Sequence, residues 1–365
     1  MRFEEKILYR LWLASIPGVG RKIRNNLRME FGDDFGVYTA AYDDIAKISG
    51  DEKADKIYYS KGIDRVHKLL EKYKSRDIDI ICPWDERYPR RLLDIDDAPD
   101  ILYYQGKYND IIQDKNNCIG IVGSRMNDSY GKEISYRISY DLASKNICII
   151  SGLARGIDSF SHEGALDAGG YTVGVLGCGI NVTYPREKIN LFCRMRESGL
   201  IISEYGLDVP PENWHFPERN RIISGLSDGV LVVQAKEKSG SLITVDFALE
   251  QGKQVYAIPG RLYDPNSAGT NNLIRQGACC VTNANDIIFD IQGIYEDDSC
   301  ALADKKLLAP AEKIVYSCLS LEPKSIDVIV AECRLPVSEA INILYNMEAN
   351  GVIKQPDRGY YIITI

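Results

Sequence analysis

Between residues 76 and 292 the chain alternates short, unbroken apolar runs with longer mixed stretches. The runs are Ile78–Cys82, Cys118–Val122, Ile147–Ile150, Thr172–Leu176, Leu200–Ser203, Gly229–Val233 and Gln254–Ile258. Several are continuous instead of alternating, the mark of a parallel strand covered on both faces. Helix-length segments lie between them, among them Tyr130–Lys145, Ser159–Ala168 and Leu242–Gln251. Repeated strand–helix units predict a doubly wound α/β sheet whose ligand site lies beyond the strand C-termini.

Residues 1–75 read as helical. Leu8, Leu11, Trp12 and Leu13 form an apolar face that Ile16-Pro-Gly-Val-Gly20 breaks, and Arg21, Lys22, Arg24 and Arg28 follow. This order resembles a helix-hairpin-helix, in a SAM-like helical domain, whose hairpin amides can meet a phosphate. The alternative is a helical turn that needs glycine for its geometry. Residues 293–308 are polar and patternless, as in a linker. From 309 to 365, helical patterns at Ala311–Leu319, Ser325–Ala331 and Ser338–Asn350 precede two short strands around a turn, which suggests a winged helix. Between Ser338 and Asn350 the only charged residues are Glu339 and Glu348. A helix entering a DNA groove should be basic, so this domain is expected to bind protein or its own partner domains.

At 365 residues, two or three domains are expected. The net charge of −8 argues against a protein that coats nucleic acid with its whole surface, but not against a local basic groove. No apolar run approaches the roughly 20 residues of a membrane span. The start, MRFEEKILYR, has no signal-peptide core. Ten cysteines are scattered without C-x-x-C spacing, which fits reduced thiols in a cytoplasmic protein.

Chemistry gathers where the apolar runs end. Gly120-Ile-Val-Gly-Ser-Arg125 offers a close backbone turn, a hydroxyl and a guanidinium fork, although Arg125 could also be an ordinary surface residue. It is not G-x-G-x-x-G, so the dinucleotide fingerprint fails. In Ser151-Gly-Leu-Ala-Arg-Gly-Ile-Asp158 the aspartate is placed to cap the next helix, a role favoured over catalysis. Gly177-Cys-Gly-Ile-Asn-Val-Thr-Tyr-Pro185 reads as a fixed loop, with Cys178 a packing residue for want of a base. Phe216–Thr244 brings Arg219 and Arg221 around Asn220, then Ser239, Gly240 and Ser241 at a helix start. Pro259–Gly277 adds Arg261, Asn271 and Asn272. Five strand ends thus carry anion-friendly groups. His67, His162 and His215 share no ligand spacing, so no metal is expected. A P-loop, a deaminase H-x-E and a carboxylate pair are all missing, and no cofactor is implied.

Together these segments resemble the DNA-processing protein A family (DprA/Smf): GSR at Gly123–Arg125, SGLARGID, GCGINVTYP, SEYG at Ser203–Gly206, FPERNRIISGLS, SGSLIT and the loop through Ala278. Tyr88-Pro89 and Ala98–Gly106 are weaker echoes. The resemblance implies an extended Rossmann domain that binds single-stranded DNA without known catalysis. It further implies a homodimer through that domain, protection of incoming strands in natural transformation, and help in loading the RecA recombinase. By motif position, Arg125, Arg219 and Arg221 are the candidates for phosphate contact. Gly123, Ser124, Asn220, Ser239, Gly240 and Ser241 then shape the pocket, with Phe216 or Tyr184 as a base-stacking ring. Gln234 departs from the acidic residue common there. Two other classes stay open: an enzyme on a nucleotide or nucleoside phosphate, using Ser151, Asp158 or Glu204, and a scaffold acting through the C-terminal domain.

Overall fold

The computed structural model of the protein describes residues 3–113, 118–292, 309–320 and 322–363, and the segment 293–308 assigned to a linker lies outside them. Contacts divide the chain into two units, 1–295 and 296–365.

The first unit opens with helices α1 (Phe3–Ala14), α2 (Arg21–Phe31), α3 (Asp34–Thr39), α4 (Tyr42–Ser49), α5 (Asp51–Tyr59) and α6 (Ile63–Lys74). Strands β1 (Asp79–Ile81), β2 (Leu102–Gly106) and β3 (Cys118–Val122) come next. Helices then alternate with strands: α7 (Ser129–Ser144), β4 (Cys148–Ser151), α8 (Ile157–Asp167), β5 (Thr172–Leu176), α9 (Ile189–Ser198), β6 (Leu200–Ser203) and α10 (His215–Leu226). The alternation ends with β7 (Gly229–Val232), α11 (Leu242–Glu250), β8 (Gln254–Ala257), α12 (Ala268–Arg275), β9 (Cys279–Cys280) and α13 (Ala284–Gln292).

All nine strands form one sheet in the order β1-β2-β6-β5-β4-β3-β7-β8-β9. From β6 to β9 every pairing is parallel, while β2 pairs antiparallel with both β1 and β6. The continuous apolar runs explain the parallel part. Every residue of β3, β4, β5, β6 and β7 is buried, because helices cover both faces. Ile138, Leu142 and Ile157 of α7 and α8 pack on one face with Ile287 of α13. Ile222 and Leu226 of α10 and Val245 of α11 pack on the other. The N-terminal helices share a core with this unit, since Leu11, Trp12, Ile45 and Ile57 belong to one cluster with Tyr103, Leu176 and Phe192.

The winding direction matters most for function. The chain builds β3, β4, β5 and β6 outward in one direction, then returns to lay β7 on the other side of β3. β3 and β7 therefore run side by side, Ile119 opposite Gly229 and Val122 opposite Val232, while their following loops diverge. Such a switch point opens a crevice at the strand C-termini.

The second unit holds α14 (Pro310–Cys318), β10 (Lys324–Ser325), α15 (Ile326–Cys333), α16 (Val337–Ala349), β11 (Ile353–Asp357) and β12 (Tyr360–Ile363). Its three strands pair antiparallel in the order β10-β12-β11 around a core that includes Val315, Ile329, Leu344 and Met347. On α16, Val337, Ile341 and Tyr345 are exposed. Among the described residues, no helix is long and apolar enough to cross a membrane.

The candidate nucleic-acid interface

A cleft of about 430 Å³ lies at the β3/β7 switch point. Its walls are the loops after β3, β4 and β7 and the first turns of α10 and α11. Gly123, Ser124, Arg125, Arg219, Asn220, Ser239, Gly240 and Ser241 all line it. Two of these loops meet backbone to backbone. Gly156 has a φ of +79°, and a β-carbon there would stand 2.3 Å from the Ser124 carbonyl oxygen, so only glycine fits.

Arg219 forms the floor. It is 3% exposed, and its Nη1 donates to the carbonyl of Gly152 at 2.8 Å and to that of Val175. Its Nε has no partner, and among the described residues no carboxylate is in ion-pair contact with it. Burial pushes its guanidinium down to about 10, a shift that Asp158 opposes and Arg125 adds to. The group therefore stays charged at neutral pH. Thr244 Oγ1 lines the same cleft, also buried and without a partner. Buried polar atoms are nearly always paired, so two orphans on residues that line one cleft make it the place to look for a bonding partner.

Arg125 stands at the rim, exposed, with its guanidinium 4.9 Å from the centre of the Phe216 ring. Tyr184 lies 5.6 Å from Phe216, ring to ring, and is 42% exposed. Ser124 donates its amide to the Gln234 carbonyl at 2.8 Å, and its hydroxyl accepts from the amide of Met126. Ser239 and Ser241 hydroxyls bond to each other at 2.7 Å at the start of α11, where the amides of Leu242 and Thr244 already donate to the carbonyls of Ser239 and Ser241. A β-carbon on Gly240 would meet open space, so packing does not demand glycine there.

Arg221 is corrected: the structure does not bring it to the cleft. Positions two apart on a helix point about 200° apart, so Arg219 and Arg221 of α10 cannot serve one site. Arg221 Nη2 donates to both Glu204 oxygens at 2.7 Å, its Nε to the Asp97 carbonyl at 2.9 Å, and its Nη1 to the Glu218 carbonyl at 3.0 Å. Arg221→Ala should therefore lower the unfolding temperature, through a loss on the order of 3 kcal/mol, because it strips a buried carboxylate of a partner. The slope of DNA affinity against salt should not change, and thermal melts beside a salt titration check both.

The three candidate reacting groups also part company. Ser151 donates its hydroxyl to the Ile121 carbonyl at 2.6 Å, and Glu204 is held by Arg21 and Arg221. Only Asp158 lines the cleft. It does not cap α8, whose N-cap is Gly156. Burial raises its carboxyl above the ordinary range, against the pull of Arg219 and Arg125. Burial likewise pushes Cys178 up to about 11 and His162 down to about 3, leaving a protonated thiol and a neutral imidazole. Among the described residues, no three metal-ligating side chains cluster around a possible ion site.

Sequence reading overlooked Lys236 and Lys238, both exposed cations on the cleft wall. Their position in the loop after β7, just ahead of Ser239, was the available clue. It also overrated the basic α2. Arg24 and Arg28 bond to the buried Asp100, and Arg21 to Glu204. Gln234 donates its Nε2 to Asp128 Oδ1 at 2.9 Å while Asp128 caps α7, and its buried Oε1 has no partner. Asn271 and Asn272 also lie elsewhere: Asn271 clamps Gly260 through both its amide and its carbonyl, and Asn272 accepts from Arg275.

The sequence signature of the DNA recombination-mediator protein A family matches residues 79–292, which include every wall of this cleft. This chain belongs to that family. A DNA processing protein DprA from Bacillus subtilis is 42% identical over 227 residues, 62% of this chain and 76% of that protein. The crystal structure of DNA processing protein A from Streptococcus pneumoniae is 32% identical, with a TM-score of 0.65 over 81% of this chain and 100% of that one. DNA processing protein A from Helicobacter pylori, whose structure is described in terms of its single-stranded DNA binding mode, is 30% identical, with a TM-score of 0.54 over 60% of this chain and 97% of that one.

Proposed function

We propose that this protein binds single-stranded DNA in the β3/β7 cleft and acts without chemistry as a recombination mediator. One observation carries the reading: Arg219 is a buried cation with an unpartnered Nε at the cleft floor and no carboxylate in ion-pair contact among the described residues. The buried Asp158 carboxylate acts on this cation without ion-pair contact, so an anion is the ligand that completes the site. Arg125, Lys236 and Lys238 extend the positive surface beyond one phosphate, on a chain whose net charge is −8. The ring pair of Phe216 and Tyr184 supplies a face for a base. Cations along a groove beside stackable rings suit a single strand better than a duplex, whose bases are hidden.

Titrating labelled single- and double-stranded oligonucleotides across salt by anisotropy tests this. Single strands should bind more tightly, and Arg125→Ala should reduce the slope of log affinity against log salt by nearly one. An unchanged slope would remove Arg125 from the site.

Finer features of the reading rest on family membership. They are a homodimer through the sheet unit, help to RecA on incoming strands during natural transformation, and a cytoplasmic setting. The 1–75 helices correspond in this reading to a SAM-like domain, 76–292 to the DNA-binding domain and 309–365 to a winged helix. Three helices followed by a β11–β12 hairpin support the last assignment.

A further inference from the structure

The loop joining β8 to α12 holds two large apolar side chains out in water. Leu262 is 83% exposed and Tyr263 is 98% exposed. Water contact of this kind is common at a floppy tip, but this loop is tied down along its length. Asn271 grips both backbone groups of Gly260 at 3.1 Å. Asp264 accepts from the amide of Asn266 at 2.9 Å and from the hydroxyl of Ser267 at 3.1 Å. Its own amide donates to the Arg261 carbonyl at 3.1 Å, which closes the turn that carries Leu262 and Tyr263.

The loop is also fixed to the cleft. Ala235 donates its amide to the Asn266 carbonyl and accepts from the amide of Gly269, both at 2.8 Å. Lys236, the next residue, lines the cleft and is exposed. β7 is the strand between β3 and β8, so the β8 loop begins two strand spacings, about 10 Å, from the Arg125 loop. Across this edge of the sheet the order is a ring at Phe216, a cation at Arg125, a cation at Lys236 and a ring at Tyr263. Cations that track the backbone, with rings at either end for bases, are how a sequence-tolerant groove follows a single strand.

We infer that Leu262 and Tyr263 form a second base-stacking platform, so that a bound single strand leaves the cleft across β7 and lays a base on Tyr263. The inference rests on the proposed single-stranded DNA reading and extends the same site. A rigid loop that presents a flat ring gives stacking at little ordering cost on binding.

The test uses the full chain with two deoxythymidine oligonucleotides, one of about 4 nucleotides that fills only the cleft and one of about 20 that reaches beyond it. Tyr263→Ala should weaken the longer oligonucleotide about tenfold and leave the shorter one unaffected. The salt slope should stay the same, since no charge is removed. Tyr263→Trp should keep wild-type affinity, and the emission it adds over that of the three native tryptophans should be quenched by the longer oligonucleotide and not by the shorter. Wild-type affinity in Tyr263→Ala, or emission of Tyr263→Trp indifferent to saturating long oligonucleotide, overturns the inference and leaves the cleft reading intact. Lost self-association with intact DNA affinity makes the loop a protein contact and overturns it too. A wild-type protein that binds neither oligonucleotide rejects the cleft reading itself.

Discussion

Arg219→Met should abolish tight single-stranded DNA binding in a protein that still folds. In the free protein the guanidinium is buried, lacks an ion-pair partner among the described residues, and leaves its Nε unbonded. Replacing such a group by an apolar side chain of similar length relieves the desolvation penalty. Against this stand the two carbonyl bonds, to Gly152 and Val175, which the variant loses. The buried Asp158 carboxylate also loses the cation that favours its charged form, so the unfolding temperature should fall modestly. Affinity should fall by about thirtyfold or more, roughly 2 kcal/mol, because the phosphate then meets a dry apolar floor. Melting curves and oligonucleotide titrations on one preparation separate the two effects. A protein that melts early yet binds normally would mean that Arg219 serves the fold alone.

Asp100→Asn is the second large effect, and it falls on stability. The Asp100 carboxylate bonds to Arg24 at 2.8 and 2.9 Å and to Arg28 at 2.7 Å, and Arg10 reaches its backbone carbonyl. Asp34 is the other acid in this cluster, taking Arg10 and Arg28. Without the Asp100 charge, three largely buried guanidiniums would face one carboxylate. The expected loss is about 3–5 kcal/mol, read as a fall in the urea midpoint. Burial alone would raise this carboxyl, but the hydrogen bond and charge of Arg24, with Arg28 and Arg10, hold it well below the usual carboxylate range. A depressed folded pKa means the contribution is present in full above the unfolded value of about 4 and disappears as pH falls below it. Wild-type stability should drop in that acid range more steeply than that of Asp100→Asn.

What could be read from the sequence follows from what each element needs. β3, β5 and β6 coincide with their apolar runs because a strand covered on both faces must be apolar throughout. β2 was missed because it pairs antiparallel and carries Tyr103-Tyr104-Gln105, a pattern without the continuous aliphatic mark. β9 is two residues long, too short for any periodicity. The anion-friendly loops at the strand ends include the cleft walls around Gly123 and Ser239. The helical phase of α10 separates Arg219 from Arg221, and that phase is legible in their spacing of two. The pairing of the N-terminal arginines was beyond sequence reading. Arg24 finds Asp100 at 76 positions' distance and Arg21 finds Glu204 at 183, and only the folded core brings them together.

The most direct test of the cleft assignment is a crystal structure of this protein with a short deoxythymidine oligonucleotide. A phosphate oxygen within hydrogen-bond distance of Arg219 Nε, with Arg125 on the same or the adjacent phosphate, is the predicted result. An oligonucleotide bound elsewhere, with Arg219 Nε still unpartnered, would contradict the account.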